Sequence, residues 1–462
     1  MRPRNEGARH QLISLLGQRA AVAASELAQA LGVSVPTLHR MLQEIPDRLV
    51  STGKARRTRH GLRRGLRGDL ASLPLYAVDS QGRAELSSSL ALLQPHGSCL
   101  AVPGDGDWPI PQESRDGWWD GLPYPLYDMR PQGYMGRQFA RAEHRALGVS
   151  ANPQEWGDDD IVHVLSRSGV DTSGNLILGD AAFERWQAST LASPEPLKPR
   201  STGAAYARAA EHAIGAGVAG SSAAGEFPKF AALRETRAGD ATPHVLVKFS
   251  GADDSAAVRR WSDLLVAEHL ALEHVAAMPG VAGARSRIVT HAGRTFLEVE
   301  RFDRHGAFGR SPLVSLAVVD AAFLGAATTD WRVLAARLEQ GGLLETGDAR
   351  RIEHLWWFGR LIANSDMHTG NISFRPSARR LVLAPAYDML PMLYAPLAGG
   401  ELPRREFEPP LPLPPQRTVW HAACTAALGF WDRAAADVRI GEAFRAVCAA
   451  NAARLRQVAD RA

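Results

Sequence analysis

A short polar segment, N-S-D-M-H-T-G-N-I-S-F at residues 364–374, contains residue types that can do chemistry. Asp366 and Asn371 are five positions apart on an expected loop, and Asp388 follows in A-Y-D-M-L-P after the predicted strand L-V-L-A. Carboxylate and amide oxygens suit Mg²⁺, which keeps waters and substrate phosphates as further ligands. We therefore expect Asp366 to be the general base for an attacking hydroxyl, with Asn371 and Asp388 holding Mg²⁺. The alternative is a polar turn in which Asp388 only caps a helix.

Phosphoryl transfer also needs a loop over the phosphates and a lysine held by an acid. The small residues of G-S-S-A-A-G-E-F-P-K-F, residues 220–230, would let backbone amides approach phosphate oxygens. Lys248 is a lone lysine in the predicted strand H-V-L-V-K-F, and Glu268 follows in a helical pattern, where the two can pair. Taken singly, these features could be a connecting loop, an edge-strand lysine and a solvated glutamate.

Near the N-terminus, the sequence predicts a helix-turn-helix. Ser25 caps the first helix, Gly32 supplies the turn, and Ser34 or Pro36 opens a second helix that ends near Ile45. The second helix would present three side chains to a DNA major groove: Thr37, His39 and Arg40.

A basic run, K-A-R-R-T-R-H-G-L-R-R-G-L-R, follows this pair of helices and contains seven Lys or Arg and no acid. We expect this run to form a wing over DNA phosphates, with Lys54, Arg56, Arg57 and Arg59 as the DNA-binding residues. The alternative is a small helical domain with a solvated basic tail.

The bulk composition describes an ordinary globular protein of two or three domains, with 462 residues, 45% apolar residues and 22% charged residues. Three scattered cysteines fit a reducing cytosol and offer no disulfide framework or metal cluster. The first residues lack an apolar signal region, and no run reaches the roughly 18 apolar residues of a membrane span. The sequence thus predicts a cytoplasmic protein without a membrane partner. Because the net charge is only +4, the location of the charges matters more than their sum.

Three motifs, D-M-H-T-G-N-I-S-F, Y-D-M-L-P and E-R-F-D-R (residues 300–304), together resemble the HipA-type serine/threonine kinases of bacterial toxin–antitoxin systems. The resemblance covers roughly residues 75–450, and residues 25–67 look like the DNA-binding domain of single-chain, YjjJ-like members. It implies an α+β fold, two-lobed and protein-kinase-like, with a β-rich N-lobe, an all-helical C-lobe and an N-terminal winged helix-turn-helix domain. ATP and Mg²⁺ are the implied cofactors.

Position by position, the resemblance repeats the roles expected from the residues: Asp366 as base, Asn371 and Asp388 as metal ligands, and Lys248 with its helix partner Glu268 at the ATP phosphates. Further roles come from the resemblance alone. His368 would contact the nucleotide, and Glu300 and Phe302 would hold adenine at the hinge between the lobes. Ser222, with Ser221 as the neighbouring candidate, would be the autophosphorylation site that inactivates the enzyme.

Four segments follow from this resemblance. Residues 1–70 would be the DNA-binding domain and residues 71–150 a β-rich subdomain. Residues 151–305 would form the kinase N-lobe, and residues 306–462 the helical C-lobe. The sequence departs from the family pattern twice: Gly370 replaces a lysine common before the metal-binding Asn, and the phosphate loop reads G-E-F-P-K instead of A-Q-E-K.

The resemblance implies a protein substrate, such as an aminoacyl-tRNA synthetase or another translation factor, and operator DNA as partners, with an antitoxin as a candidate third partner. Two other functions stay open. Gly370 fits small-molecule kinases of the aminoglycoside and choline type better, and a transcription regulator could use the kinase half to sense ATP. A metal-dependent nuclease is a more remote alternative.

Overall fold

The computed structural model describes residues 6–53, 57–102, 106–215 and 227–462. The chain divides into two compact units. The first contains Met1–Val78, Ala84–Arg130 and Trp156–Leu191, and the second contains Asp79–Arg83, Pro131–Glu155 and Ala192–Ala462. The whole of Trp156–Leu191, which was expected in the kinase N-lobe, therefore belongs to the first unit. The finer division into four segments stays a prediction.

The N-terminal part of the first unit consists of α1 (Glu6–Gln18), β1 (Val22–Ala23), α2 (Ala24–Leu31), α3 (Val35–Leu42), β2 (Leu49–Thr52) and β3 (Arg59–Leu62). Strand β3 lies between β1 and β2 in an antiparallel sheet. Gly32 ends α2 with a φ of 61°, and the Ser34 hydroxyl accepts the Thr37 N–H at the start of α3. The expected cap at Ser25 is wrong: Ala23 holds the N-cap position, so Ser25 lies inside the first turn.

The wing strand β3 continues into the middle of the first unit. Just beyond it, the Arg64 N–H donates to the Leu92 carbonyl at 2.9 Å. Gly61 leaves no room for a side chain, because a Cβ would lie 2.3 Å from the Ala20 oxygen and 3.1 Å from the Trp118 ring. The helix-turn-helix and the neighbouring sheet therefore pack as one body.

That neighbouring sheet is antiparallel, in the order β7-β6-β5-β4-β8. Its strands and the helices that complete the unit are β4 (Leu73–Val78), β5 (Ala84–Leu92), β6 (Ser98–Cys99), β7 (Trp118–Trp119), β8 (Leu176–Leu178), α5 (Asp158–Ser168) and α6 (Asp180–Ala192). Cys99 and Trp118 pack with Val50 of β2 in one apolar cluster, which joins the two sheets.

The second unit begins with α4 (Gly133–Leu147), α7 (Pro199–Gly215), β9 (Lys229–Leu233), β10 (His244–Phe249), α8 (Ala256–His274), β11 (Ser286–His291) and β12 (Arg294–Glu300). The strands form an antiparallel sheet in the order β11-β12-β10-β9. Val245, Val247 and Phe249 alternate along β10 and pack with Tyr206 of α7. Because side chains alternate along a strand, Lys248 lies on the opposite face, where it meets α8.

The remainder of the unit is mostly helical. Its elements are β13 (Arg304–His305), β14 (Gly309–Arg310), β15 (Val314–Ser315), α9 (Leu316–Val319), α10 (Trp331–Gln340), α11 (Thr346–Leu361), β16 (Ser373–Ser377), β17 (Arg380–Leu383), α12 (Arg417–Ala436) and α13 (Glu442–Ala459). Buried aromatic residues such as Phe358, Trp420 and Trp431 fill its core. The expected α+β fold with a β-rich lobe before a helical lobe is confirmed, with the small sheet β15-β16-β17 added to the helices.

In the described ranges, no helix combines the length and the apolar character that crossing a membrane requires.

We predict that Gly61→Ala destabilises the first unit by about 1–3 kcal/mol, because the added carbon must push the Ala20 carbonyl or the Trp118 ring aside. Thermal and urea unfolding followed by tryptophan fluorescence measure the change. Gly157→Ala is the control, since nothing lies within 4 Å of a Cβ at that position. Equal stability of the two variants would contradict the packing described here.

Candidate active site

The polar segment 364–374 begins where α11 ends. Ala363 follows the helix with a φ of 59°, a left-handed conformation that is rare for alanine and turns the chain sharply. The Asn364 N–H still donates to the Gly359 carbonyl at 2.9 Å, which ties the turn to the helix. A short 3₁₀ turn, Thr369–Asn371, then leads into β16. The loop therefore lies between a buried helix and a sheet strand.

Asn364 joins the two loops that carry the candidate residues. Its buried side chain accepts the Asp366 N–H through Oδ1 at 3.0 Å and donates from Nδ2 to the Asp388 carbonyl at 3.4 Å. Sequence reasoning assigned no role to Asn364. The available signal was its position two residues before Asp366, a spacing at which Asn side chains commonly accept a backbone N–H.

Asp366 and Asn371 are brought together. The Asn371 Nδ2 donates to the Asp366 carbonyl at 2.8 Å, so the amide Oδ1 is the atom that remains to bind another group. Asn371 is buried, whereas Asp366 is exposed. An exposed carboxylate beside a fixed amide oxygen can meet a substrate hydroxyl from solvent.

Lys248 is the centre of a buried ionic cluster. Its Nζ donates to both carboxylate oxygens of Glu268, at 2.6 and 2.8 Å, and to Oδ1 of Asp388. Burial by itself would lower the pKa of Lys248, but the Asp388 and Glu268 carboxylates outweigh burial and raise it. The predicted pairing of Lys248 with Glu268 is thus present, and Asp388 is a second partner that the sequence did not indicate.

Asp388 is held ionised by this cluster. Burial would raise its pKa, but Lys248 above all, with Lys229 nearby, lowers the pKa to about 2. Because the ordinary value is 3.8, the ion pair stabilises the folded chain above about pH 4, and this contribution is lost as the pH falls towards 2. Asp388 also has a φ of 54°, a conformation that aspartate tolerates better than most residues.

A metal at this place would rely on few protein ligands. In the part of the chain that the structure describes, no group of three or more His, Cys, Asp or Glu side chains could hold an ion. One carboxylate from Asp388 and one amide oxygen from Asn371 fit Mg²⁺, which takes the rest of its shell from water and phosphate. The donor set therefore fits a Mg–nucleotide complex better than an ion bound by protein alone.

His368 and Gly370 form the turn between these residues. The His368 Nδ1 accepts the Gly370 N–H at 3.1 Å, and the Tyr387 hydroxyl donates to the Gly370 carbonyl at 2.7 Å. A Cβ on residue 370 would lie 2.9 Å from two atoms of the His368 ring. Because the His368 side chain is exposed and its ring can shift, this contact does not by itself account for the glycine in place of the family lysine.

The two residues expected at the adenine differ in placement. The Glu300 side chain binds Arg234 at 3.1 Å on the sheet face of Val245, so it does not join Lys248. The Phe302 ring lies 5.7 Å from that of Tyr387, whose hydroxyl binds the Gly370 carbonyl.

Four of the predicted residues, Ser221, Ser222, Lys54 and Arg56, lie outside the described residues. The other DNA-binding candidates lie in the N-terminal part of the first unit: Thr37, His39 and Arg40 on α3, Arg57 before β3 and Arg59 on β3. On α3, Arg40 donates to the Thr37 hydroxyl at 3.4 Å. All but the half-buried Thr37 are exposed.

The second half of the basic run has an internal role. Arg64 pairs with Asp159 at the start of α5, and Arg67 pairs with Asp160 at 3.4 Å. Acids in the first turn of a helix also interact favourably with its positive end. These arginines therefore connect the end of the basic run to α5. The earlier residues of the run remain candidates for DNA binding.

Two family models match the chain. Residues 69–187 match the YjjJ-like toxin middle domain, and residues 221–454 match the HipA-like C-terminal domain. The second match contains every residue from Lys248 to Asp388 discussed above. The class is thus that of the HipA-like proteins.

The chain is 36% identical over 439 residues to Toxin YjjJ of Escherichia coli (strain K12), which covers 95% of this chain and 96% of that protein. The chain therefore belongs to the YjjJ-like toxins with a HipA-like C-terminal domain. The family resemblance expected from the three motifs is confirmed.

Two solved structures are also similar. The HipA, HipB and operator DNA complex of the Shewanella oneidensis MR-1 toxin–antitoxin system matches with a TM-score of 0.49 and 15% identity, covering 84% of this chain and 97% of that one. The Helicobacter pylori proinflammatory kinase CtkA matches with a TM-score of 0.35 and 10% identity, covering 50% and 87%. The family assignment depends on the sequence matches alone.

We predict that Asn364→Ala lowers stability by about 1–3 kcal/mol, because it leaves the Asp366 N–H without its acceptor. Hydrogen exchange should accelerate at the Asp366 amide first. Ser365→Ala, a change at the exposed neighbour, is the control and should behave as wild type. An unchanged Asp366 exchange rate in Asn364→Ala would show that this residue does not order the loop.

Proposed function

We propose that the protein is an ATP- and Mg²⁺-dependent serine/threonine protein kinase that acts as the toxin of a toxin–antitoxin system. The observation that carries the proposal is the contact of Lys248 with both Glu268 and Asp388. A lysine on a strand, an acid on a helix and an acid after the catalytic loop are the arrangement that phosphoryl transfer requires.

Each residue has a distinct task in this proposal. Lys248 holds the phosphates while Glu268 fixes its ammonium. Asp366 orients the substrate hydroxyl and accepts its proton, since its carboxylate is exposed on a loop fixed by Asn364. Asn371 and Asp388 would hold Mg²⁺, which neutralises charge on the transferred phosphoryl group.

Regulation by autophosphorylation at Ser222, or at Ser221, is part of the proposal. A phosphate there would add a charge of roughly −2 to a loop that must itself hold phosphates, so like charges would repel. The substrate is expected to be a protein, such as an aminoacyl-tRNA synthetase or another translation factor. A separate antitoxin is a further expected partner, and the cytoplasm is the expected location.

The N-terminal elements would bind operator DNA. Support comes from the exposed Arg40 on α3 and the exposed Arg57 and Arg59 near the wing, while Arg64 and Arg67 are paired with acids. Lys54 and Arg56 belong to the same proposed surface. Helix α3 would enter the major groove and the wing would follow the phosphates.

A small-molecule kinase is the second candidate, because Gly370 fits that class better than the lysine common in HipA-type kinases. Radiolabelled ATP separates the two: a labelled protein in purified enzyme or lysate supports the protein kinase, and a labelled metabolite supports the alternative. ATP binding without transfer would support a regulator that senses ATP.

We predict that Asp366→Ala reduces autophosphorylation by roughly 10²–10⁴-fold, as loss of a general base does, and ends growth inhibition. Mass spectrometry of phosphosites after expression measures the first effect and colony counts measure the second. Asp460→Ala, which removes an exposed carboxylate near the C-terminus, is the control. A well-folded Asp366→Ala variant that stays toxic would refute the kinase-toxin proposal.

We predict that Arg40→Ala and Arg59→Ala each weaken retention on DNA. If each arginine contacts one phosphate, the slope of log K against log salt should shrink by about one unit per contact. Binding isotherms at several salt concentrations test this. Arg167→Ala removes an exposed arginine of α5 and should leave the slope unchanged. Equal slopes in all three variants would remove α3 and the wing from the DNA contact.

A further inference from the structure

The carboxylate assigned to the metal is already bound by a cation of the protein. Lys248 Nζ contacts Oδ1 of Asp388 while both oxygens of Glu268 hold the same ammonium at 2.6 and 2.8 Å. An ion at Asp388 would have to bind beside this ammonium, and two positive charges within a few ångströms repel each other. Lys248 and a divalent ion therefore compete for Asp388.

A second lysine stands beside the first. Lys229 on β9 is directly opposite Lys248 on β10, so both side chains leave the same face of the sheet. Like charges at opposed positions of antiparallel strands destabilise the pair unless anions offset them. Glu268 and Asp388 provide two carboxylates for the two lysines. A divalent ion at Asp388 would add positive charge to a site that already contains the two lysines.

A polyphosphate changes this balance. Its oxygens offer Lys248 another anion, while Glu268 can keep the ammonium in place during the exchange. The Asp388 side chain is 30% exposed, against 9% for that of Lys248, so an arriving ion can reach the carboxylate from solvent. Metal and phosphate would then enter together, each removing an obstacle to the other.

We propose that Lys248 excludes divalent metal from Asp388 until the phosphates of a nucleotide bind the Lys248 ammonium in place of Asp388. Metal and nucleotide then bind as one unit. The proposal rests on the metal-binding role given to Asp388 under the proposed function. It makes Lys248 a residue that sets the order of binding in addition to a phosphate ligand.

Metal binding without nucleotide tests the proposal directly. Mn²⁺, which can replace Mg²⁺ at such sites and is visible by electron paramagnetic resonance, is titrated into the full-length protein. Wild type should bind weakly, and Lys248→Met should bind at least tenfold more tightly, because Asp388 is then free of its cation. The gain should disappear in Lys248→Met combined with Asp388→Asn.

Three further variants serve as controls. Lys248→Gln is a second neutral variant for use if Lys248→Met fails to fold, and Lys248→Arg keeps the cation and should bind Mn²⁺ as weakly as wild type. Lys198→Met removes a lysine that pairs with Glu195 at 3.1 Å on the surface and should change nothing. Tight Mn²⁺ binding by wild type, or no gain in the folded neutral variants, would overturn the proposal.

The same titration with a non-hydrolysable ATP analogue separates this inference from the proposed function. Wild type should then bind Mn²⁺ at least tenfold more tightly than without the analogue. If wild type binds the analogue but the neutral variants gain no Mn²⁺ affinity alone, the ordering fails and the kinase proposal stands. If the analogue does not bind and no phosphoryl transfer occurs, the kinase proposal fails, and with it the ordering.

Discussion

The buried charge of Lys248 is the constraint on which the candidate site depends. An ammonium on the inner face of a sheet is costly unless carboxylates surround it, and Glu268 and Asp388 meet that need from a helix and from a distant loop. Helix α8 must therefore lie against β10, and the segment before Asp388 must approach both. A single cation thereby draws together three elements that are far apart in sequence.

The rest of the site depends on backbone hydrogen bonds. Asn364 spans the distance between the Asp366 loop and the Asp388 loop with one amide, and the Tyr387 hydroxyl fixes the carbonyl of Gly370. These contacts involve neutral groups, so they hold the loops in place without adding charge to the Lys248 cluster. Positioning and charge are thus supplied by different residues.

The sequence was most informative where chemistry limits the choice of residue. Asp366, Asn371 and the pair of Lys248 with Glu268 could be selected because few residue types suit those tasks. The direction of the Glu300 side chain could not, because it follows from the register of β12 on β10. The spacing of Asn364 before Asp366 could indicate the first of its hydrogen bonds, but the second, to the Asp388 carbonyl, could not be predicted because it joins residues 24 positions apart.

The continuity of β3 with the middle sheet has a consequence for how such chains can be divided. Gly61 lies against Trp118, and Arg64 is bound to Asp159. The region expected to bind DNA is therefore packed against residues that follow it in the chain. Truncation near residue 70 would remove apolar residues that pack against the middle sheet. To exchange DNA specificity between relatives, the middle sheet would therefore have to be transferred together with the N-terminal helices.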